Sequence, residues 1–252
     1  MGKPAFTTVS VSATRERTAR QEFRELFERC PIPDNELLGN LGLFINRQAL
    51  SRLLYMHDLY RKIINVQGIV MEFGPRWGQN LALFHSFRGI YEPFNYTRKI
   101  VGFDTFQGFL GVSEQDGKGA AAIAGGYGVA EGYESYLDAV LQYHEQESPL
   151  SHIRRFELRK GDASLTLAEY LKENPETIIA FAYFDMDLYE PTKKCLELVM
   201  NHVTRGSVLG FDELNYHHFP GETSAFREIL GLLRYRIERS SLDPLSSFVI
   251  ID

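Results

Sequence analysis

The sequence predicts an α/β fold with a doubly wound, mostly parallel sheet. From residue 68 onward, short apolar runs alternate with segments in which apolar residues recur at helical spacing. This alternation is typical of parallel strands joined by helices that cover both faces of a sheet. The first apolar run ends in a glycine-containing turn, and later runs end in aspartate or glutamate. Because ligands of such sheets bind outside the carboxyl ends of the strands, these residues define the candidate site.

Two helices are expected before the sheet. Apolar residues recur at helical spacing from Thr14 to Arg29 and again from about Asn46 to Ile64, and the proline-containing segment CPIPDN separates them. In the second helix the predicted inner residues are Leu50, Leu53, Leu54, His57 and Leu59. We expect residues 1–66 to form an N-terminal arm and helices that pack on the core or on a neighbouring subunit. Residues 67–252 would form the ligand-binding part of one structural domain.

Strands and helices then alternate along the rest of the chain. The predicted strands are 68–74, 99–106, 154–162, 177–187, 207–213 and 246–252. The predicted helices are 79–87, 133–144, 164–173, 192–202 and 221–234. Residues 111–132 are rich in Gly and Ala and show little periodicity. A long irregular segment within a compact domain is often functional, and we expect this one to close over bound substrates.

Composition excludes several classes of protein. The formal net charge is −6, from 27 basic and 33 acidic side chains, which disfavours a nucleic-acid partner. Cys30 and Cys195 are the two cysteines, so neither a disulfide framework nor a CxxC metal site can form. No apolar run reaches the about 20 residues of a membrane helix, and the N-terminus lacks the apolar stretch of a signal peptide. These observations favour a cytoplasmic protein without a membrane partner.

The loop EFGPRWGQN, which follows the first strand, is a candidate cofactor loop. Glycines there let the backbone approach a ligand and let the next helix begin tightly. Gly74 and Gly78 do not form the dinucleotide pattern GxGxxG, and a plain strand-to-helix turn is the alternative. Asp104 at the end of the second strand favours the cofactor interpretation, because a carboxylate can accept two hydrogen bonds from ribose hydroxyls. As an alternative, Asp104 could cap a helix.

Asp162 precedes a helix and has two possible roles. With Ala163 and Ser164 it forms the sequence of a helix N-cap. The same carboxylate could also lie beside an adenine ring. Both roles remain open at the level of sequence.

The motifs DMDLYEPT and GFDE predict a metal site. Asp187 and Asp212 end successive strands that should be neighbours, and Glu213 adds a third carboxylate. Buried carboxylates that are clustered in this way repel each other and need a cation. Oxygen ligands suit Mg²⁺, Mn²⁺ or Ca²⁺ rather than zinc. Surface acids that cap helices are the alternative. His217 and His218 follow closely, as a candidate base or as ordinary loop residues.

Five motifs together resemble the macrocin-type sugar O-methyltransferases of antibiotic biosynthesis. In order they are EFGPRWGQN, GFDTFQGF, KGD, DMDLYEPT and GFDELN. The resemblance covers about residues 45–252 and is most specific in its last part. Within this family, the chain looks most like enzymes that methylate a deoxysugar of an enediyne antibiotic.

The resemblance implies a seven-stranded sheet of the class I methyltransferase type with extra N-terminal helices. It also implies S-adenosylmethionine as cofactor, S-adenosylhomocysteine as product, a glycosylated small molecule as acceptor, and a homo-oligomer that forms contacts through the N-terminal helices. The cofactor residues would be Glu72 and Gly74 at the methionine part, Asp104 at the ribose, Asp162 and Ser164 at the adenine, and in addition Arg76 and Asp185. Asp187, Asp212 and Glu213 would hold Mg²⁺, although many relatives have a second aspartate where this chain has Glu213.

The expected reaction is an in-line attack of a sugar hydroxyl on the sulfonium methyl group. Coordination to Mg²⁺ would lower the pKa of the hydroxyl. Asp187 is the first candidate for the base and His217 the second. Two rival functions remain: a catechol-type O-methyltransferase, and a non-catalytic module that binds a nucleotide or a carbohydrate. The aromatic residues Tyr189, Tyr216 and Phe219 would suit a sugar face or a flat ring.

Overall fold

The computed structural model describes residues 12–117 and 123–252. Within them seven strands form one sheet, and their bounds are β1 (Ile69–Phe73), β2 (Ile100–Asp104), β3 (Phe156–Lys160), β4 (Ile179–Phe184), β5 (Val203–Phe211), β6 (Glu238–Arg239) and β7 (Ser247–Ile250). The strand order is β3-β2-β1-β4-β5-β7-β6. The first five strands of this order are parallel, and β7 runs antiparallel to both of its neighbours. The predicted doubly wound sheet is confirmed. Strand β6 was not predicted, because two residues are too few to show a pattern.

Every predicted helix is present, although the one predicted over 192–202 lies three residues earlier and the one predicted over 221–234 ends at Ile229. The helices are α1 (Thr14–Glu28), α2 (Asp34–Leu37), α3 (Arg47–Ile63), α4 (Gln79–Tyr91), α5 (Tyr133–Gln146), α6 (Ala163–Glu173), α7 (Tyr189–Val199) and α8 (Gly221–Ile229). The connector after α1 is more regular than its prolines indicate, since it contains α2 and a 3₁₀ helix over Leu38–Phe44. None of the described helices is long and apolar enough to cross a bilayer.

Most of the residues that were predicted to form the inner face of α3 are not buried, so this prediction is wrong for them. The structure buries Tyr55, Met56, Leu59, Tyr60 and Ile63 against the sheet. Leu50 and Leu54 are 46% and 44% exposed, while Leu53 and His57 are half-buried. Apolar side chains occur on several sides of this helix, so their periodicity predicts a helix but does not select the face that packs.

The core has one layer on each side of the sheet. The layer against α6, α7 and α8 includes Cys195, which is fully buried as its apolar neighbours predicted. The other layer packs α3, α4 and α5 against the opposite face. Helix α3 is therefore part of the core, whereas α1 buries none of its residues. Residues 1–11, which belong to the predicted N-terminal arm, lie outside the described residues.

A row of stacked phenylalanines aligns the ends of four strands. Phe103, Phe73, Phe184 and Phe211 come from β2, β1, β4 and β5, and neighbouring ring centroids lie 4.9–5.2 Å apart. The strand register pairs the same residues, and all four are fully buried. The residue that follows each phenylalanine therefore emerges at the same edge of the sheet.

Candidate functional site

A cavity of about 530 Å³ lies at this edge. Its volume is in the range of ordinary small-molecule sites. The lining residues include most of the predicted site residues, namely Gly74, Arg76, Asp104, Asp162, Ser164, Asp185, Asp187, Asp212 and Glu213. Glu72 lies one pleat below the rim and is buried. The topology thus brings together residues that are up to about 140 positions apart in the sequence, as the parallel sheet requires.

The loop after β1 approaches β4 so closely that Gly74 cannot be replaced. A Cβ atom at this position would clash with the main-chain carbonyl of Asp185, and the φ angle of Gly74 is +84°. Arg76 also has a left-handed backbone, with φ +48°. Its guanidinium lies over the rings of Trp77 and Tyr127, at 5.4 and 5.0 Å from their centroids. The loop is therefore held in one conformation at the mouth of the cavity.

Glu72 is an acidic residue whose side chain is buried within the sheet. One of its oxygens accepts a hydrogen bond from Asn80 of α4 at 2.7 Å, and Oε2 has no partner among the described residues. Burial raises the pKa of Glu72 to about 7, although the Asn80 hydrogen bond opposes the shift. A free carboxylate oxygen just below the cavity fits a ligand that carries an amino group, such as the methionine part of the cofactor.

Asp104 holds the loop after β1 and borders the cavity. Its Oδ2 accepts a hydrogen bond from the Arg76 amide at 2.8 Å, and Oδ1 accepts one from the Phe106 amide at 2.6 Å. Each oxygen of a carboxylate has a second lone pair, so both can also accept ribose hydroxyls. Burial raises the pKa of Asp104, and the two amides lower it.

Asp162 is the N-cap of α6. Its Oδ1 accepts hydrogen bonds from the Ser164 amide at 2.8 Å and from the Ser164 hydroxyl at 2.6 Å. Both residues also line the cavity. The capping role is therefore observed, and a contact with adenine stays a prediction.

Six acidic side chains gather around the ends of β1, β4 and β5, and most of them have abnormal pKa values. Burial raises the pKa of Asp185 well above its usual range, Asp212 raises it further, and Arg52 lowers it. Burial likewise raises the pKa of Asp187, with further contributions from Glu213 and Asp212. The six are Glu72, Asp185, Asp187, Asp212, Glu213 and Glu222. Such concentrated negative charge is typical of functional sites.

Asp187 and Glu213 line the cavity beside Asp185 and Asp212, and Arg52 forms ion pairs with the latter two. The carboxyl groups of Asp187 and Glu213 are neighbours, and burial together with Asp212 and Asp185 raises the pKa of Glu213 to about 8. Asp187 has a left-handed backbone, with φ +61°. Glu222 supports the pair from α8, since its Oε1 accepts a hydrogen bond from the Glu213 amide at 3.0 Å.

Asp212 is turned toward an arginine from another part of the chain. Its Oδ1 accepts hydrogen bonds from Arg52 of α3 and from the Tyr183 hydroxyl, the latter at 2.7 Å. The same guanidinium donates to Oδ2 of Asp185 at 2.9 Å. Arg52 thereby connects the ends of β4 and β5.

The predicted metal ligands meet only some of the requirements of a site for a divalent cation. Across residues 12–117 and 123–252, no three ligating side chains form a group that could hold a metal ion. Two of the three predicted ligands, Asp187 and Glu213, are nevertheless adjacent, and Glu213 Oε2 is buried without a partner in the described structure. Hard oxygens of this kind suit Mg²⁺. The third predicted ligand, Asp212, has one oxygen engaged by Arg52.

His217 is exposed and is not among the residues that line the cavity. Its ring lies against that of His218, with centroids 3.9 Å apart and ring planes tilted by 39°. Of the two predicted bases, Asp187 is the one that the cavity contains.

The irregular segment after β2 covers one side of the cavity. Leu110, Val112 and Tyr127 line it. Asp116 anchors the segment, because one of its oxygens accepts a hydrogen bond from the Tyr189 amide at the start of α7 and the other accepts from the Ser113 amide at 2.6 Å. Residues 118–122, within the predicted closing segment, lie outside the described residues.

Several residues of the site have no local sequence pattern that predicts their position. Arg52 belongs to a helix that we assigned to the N-terminal part, and nothing local marks it. Tyr183 precedes Asp185 by two residues, so strand alternation places both on the same face. Asn80 and Glu222 occupy the first turns of helices that follow predicted strands, a position from which side chains reach the rim.

The fold and the site together define a methyltransferase of the class I type. The sheet order, the glycine turn after β1 and the acid at the end of β2 suit a nucleoside cofactor. No family model matches the chain, and a search of curated proteins gives no match. Two structures of calicheamicin methyltransferase CalS11 are similar to it. One is 40% identical over 99% of both chains, with a TM-score of 0.93, and the other is 39% identical over 97% and 96%, with a TM-score of 0.84.

The chain belongs to the family of S-adenosylmethionine-dependent sugar O-methyltransferases of antibiotic biosynthesis that includes CalS11. The resemblance found in the sequence is thereby confirmed. The O-methyltransferase NovP shares the fold at 19% identity, with a TM-score of 0.59 over 80% of this chain and 79% of its own.

Replacing Glu72 with Gln should change how stability depends on pH. The pKa of Glu72 is raised to about 7 in the folded protein, so its contribution to stability is full below the ordinary glutamate pKa and is lost as pH rises through about 7. A shift of this size corresponds to about 3 kcal/mol. Urea unfolding at pH 5 and pH 8 should show that the wild type loses about this much more stability than Glu72→Gln. An exposed control, Glu169→Gln, should behave as wild type, and equal pH dependence in all three proteins would contradict the assigned environment.

Proposed function

We propose that this protein transfers the methyl group of S-adenosylmethionine to a hydroxyl of a nucleotide-linked deoxysugar. The observation that carries the proposal is the 39% identity, over nearly the full length of both chains, to an enzyme named as a TDP-rhamnose 3'-O-methyltransferase. The cavity is consistent with it, since the lining includes a carboxylate after β2 for a ribose and a second group of carboxylates for a hydroxyl acceptor.

The cofactor would occupy the side of the cavity formed by β1, β2 and α6. Glu72 and Gly74 would border the methionine part, Asp104 would hold the ribose, and Asp162 with Ser164 would flank the adenine. Arg76 and Asp185 would complete this set. Support comes from the free oxygen of Glu72 and from the position of Asp104 and Ser164 along the same wall.

Asp187 and Glu213 would hold Mg²⁺, with Asp212 as a further ligand. When bound, Mg²⁺ would supply charge that lowers the pKa of the acceptor hydroxyl. Asp187 would accept the proton of that hydroxyl. Its place in the lining of the cavity, next to Glu213, supports this role.

Alignment of the two substrates would supply much of the remaining rate acceleration. A hydroxyl held on Asp187 can attack the sulfonium methyl group in line, and fixed orientation of this kind can contribute several kcal/mol, roughly 7–11 in the best cases. The segment that carries Leu110 and Tyr127 would exclude water from the cavity.

A homo-oligomer is part of the proposal. The N-terminal part exposes several large apolar side chains, namely Leu26, Phe27, Leu38 and Leu43. Contiguous exposed apolar surface is often covered by another protein. Residues 1–66 would supply this contact, and residues 67–252 the cofactor-binding part. The cytoplasmic location stays a prediction from cysteine content.

A comparison of acceptors tests the reaction. The enzyme would be incubated with S-adenosylmethionine, Mg²⁺ and one of three acceptors: TDP-rhamnose, free rhamnose or a catechol. We expect mass spectrometry to show one added methyl group on TDP-rhamnose at a kcat/KM at least about 100-fold above those of the other two, because binding energy from the nucleotide helps to position the sugar. Preferred methylation of the catechol would instead support the catechol-type rival. Binding of S-adenosylhomocysteine without turnover of any acceptor would support the binding module.

Replacing Asp187 with Asn tests the proposed base. Asparagine keeps the size of the side chain but cannot accept the proton, so kcat should fall about 10²–10⁴-fold. The affinity for S-adenosylhomocysteine, measured by calorimetry, should stay within about threefold, because the cofactor lies on the other wall. Asp138→Asn on the exposed side of α5 is the matched control and should keep full activity. An Asp187→Asn protein with wild-type kcat would rule out Asp187 as the base.

A further inference from the structure

Arg52 stands out because it connects the site to a helix that precedes the sheet. It lies in the second turn of α3, and its side chain is 19% exposed. The guanidinium forms ion pairs with Asp212 and with Asp185, and the second of these has an N–O distance of 2.9 Å. It also lies 5.2 Å from the centroid of the Tyr183 ring. Two carboxylates and one aromatic ring therefore fix its position.

The two carboxylates that Arg52 holds are at the ends of adjacent strands. Asp185 follows the last residue of β4 and Asp212 follows the last residue of β5. A planar guanidinium offers several N–H donors in a fixed geometry, so it can contact both carboxylates at once. This contact bridges the gap between the two strands at the point where the sheet ends.

Asp187 and Glu213 lie within two residues of these bridged positions. Glu213 directly follows Asp212, and Asp187 follows Asp185 by two residues through a left-handed backbone. A bridge that fixes Asp185 and Asp212 therefore also fixes the main chain from which Asp187 and Glu213 extend. Without the bridge, the negative charges of the two strand ends would repel each other.

We propose that Arg52 is a positioning residue, which sets the spacing between Asp187 and Glu213 by bridging Asp185 and Asp212. This inference rests on the proposed function, because the spacing matters for a cation and an acceptor hydroxyl held by the pair. Helix α3 is thereby part of the catalytic site's support, in addition to its role in packing the core.

The test compares Arg52→Met, Arg52→Lys and the control Arg47→Met, in which the changed residue is exposed on the same helix. Each protein would be saturated with S-adenosylhomocysteine and titrated with Mg²⁺ by calorimetry. Arg52→Met should bind Mg²⁺ about 10–100-fold more weakly, as is usual when the residues that orient metal ligands are removed. Arg52→Lys should recover only part of the loss, since an ammonium group cannot bridge both carboxylates in the same way. Arg47→Met should match the wild type.

Further measurements separate positioning from damage to the fold. The affinity of Arg52→Met for S-adenosylhomocysteine should stay within about threefold of wild type, and kcat for the sugar acceptor should fall much more than KM for S-adenosylmethionine rises. Wild-type Mg²⁺ affinity and kcat in a folded Arg52→Met protein would overturn the inference. If Arg52→Met does not fold, Arg52→Lys decides in its place, and full Mg²⁺ affinity and kcat in that variant would also overturn it.

Failure of the proposed function would look different. A wild-type protein that does not bind S-adenosylhomocysteine contradicts the proposed function itself. A wild-type protein that binds S-adenosylhomocysteine but no cation contradicts the role of Mg²⁺ alone. In that second case the effect of Arg52→Met on kcat is the deciding measurement. An unchanged kcat in this variant would contradict a positioning role.

Discussion

The cost of burying several carboxyl groups together at one edge of the sheet is the constraint on which the rest of this structure depends. Glu72, Asp185, Asp187 and Glu213 all have raised pKa values, and burial is the largest cause for each. Exposing these acids to bulk water would relieve the cost but would also abolish a sheltered site. The protein instead distributes compensating contacts around them. Arg52 bridges two carboxylates from one side, Tyr183 donates a hydroxyl, and Asn80 holds Glu72. Asp187 and Glu213 form no ion pair with Arg52 in the described structure, and under the proposed function a cation and an acceptor hydroxyl would balance their charge.

The sheet makes this concentration of charge possible. Four phenylalanines stacked across β2, β1, β4 and β5 end the strands at one level, so that Asp104, Gly74, Asp185 and Asp212 emerge together. The close approach of the β1 and β4 ends permits only glycine at position 74. The pairing of the strands therefore has two effects. It packs the core on one face of the sheet, and it places the site at the edge of the sheet. A change in this strand register by one residue would move the phenylalanines to the opposite face of the sheet and break the row of stacked rings.

Much of the fold and most of the lining residues could be predicted from the sequence, because the signals are local. Alternating apolar runs predicted every strand except β6, and the acids at the ends of these runs predicted the rim, where the parallel topology then placed them side by side. The packed face of α3 could not be predicted, since apolar residues occur on several sides of that helix. Arg52 could not be found either, because it meets Asp212 only through a contact across 160 positions. The direction of the Asp212 side chain depends on the same contact. Sequence spacing alone therefore could not show whether Asp212 joins Asp187 and Glu213 in one metal site.

The most direct test of this account is a crystal structure of the protein with S-adenosylhomocysteine and Mn²⁺, in which anomalous scattering locates the metal. We expect the ribose to lie on Asp104 and the anomalous peak to contact Asp187 and Glu213, with Arg52 still bridging Asp185 and Asp212. S-adenosylhomocysteine bound away from Asp104, or a metal peak outside the reach of Asp187 and Glu213, would contradict the account.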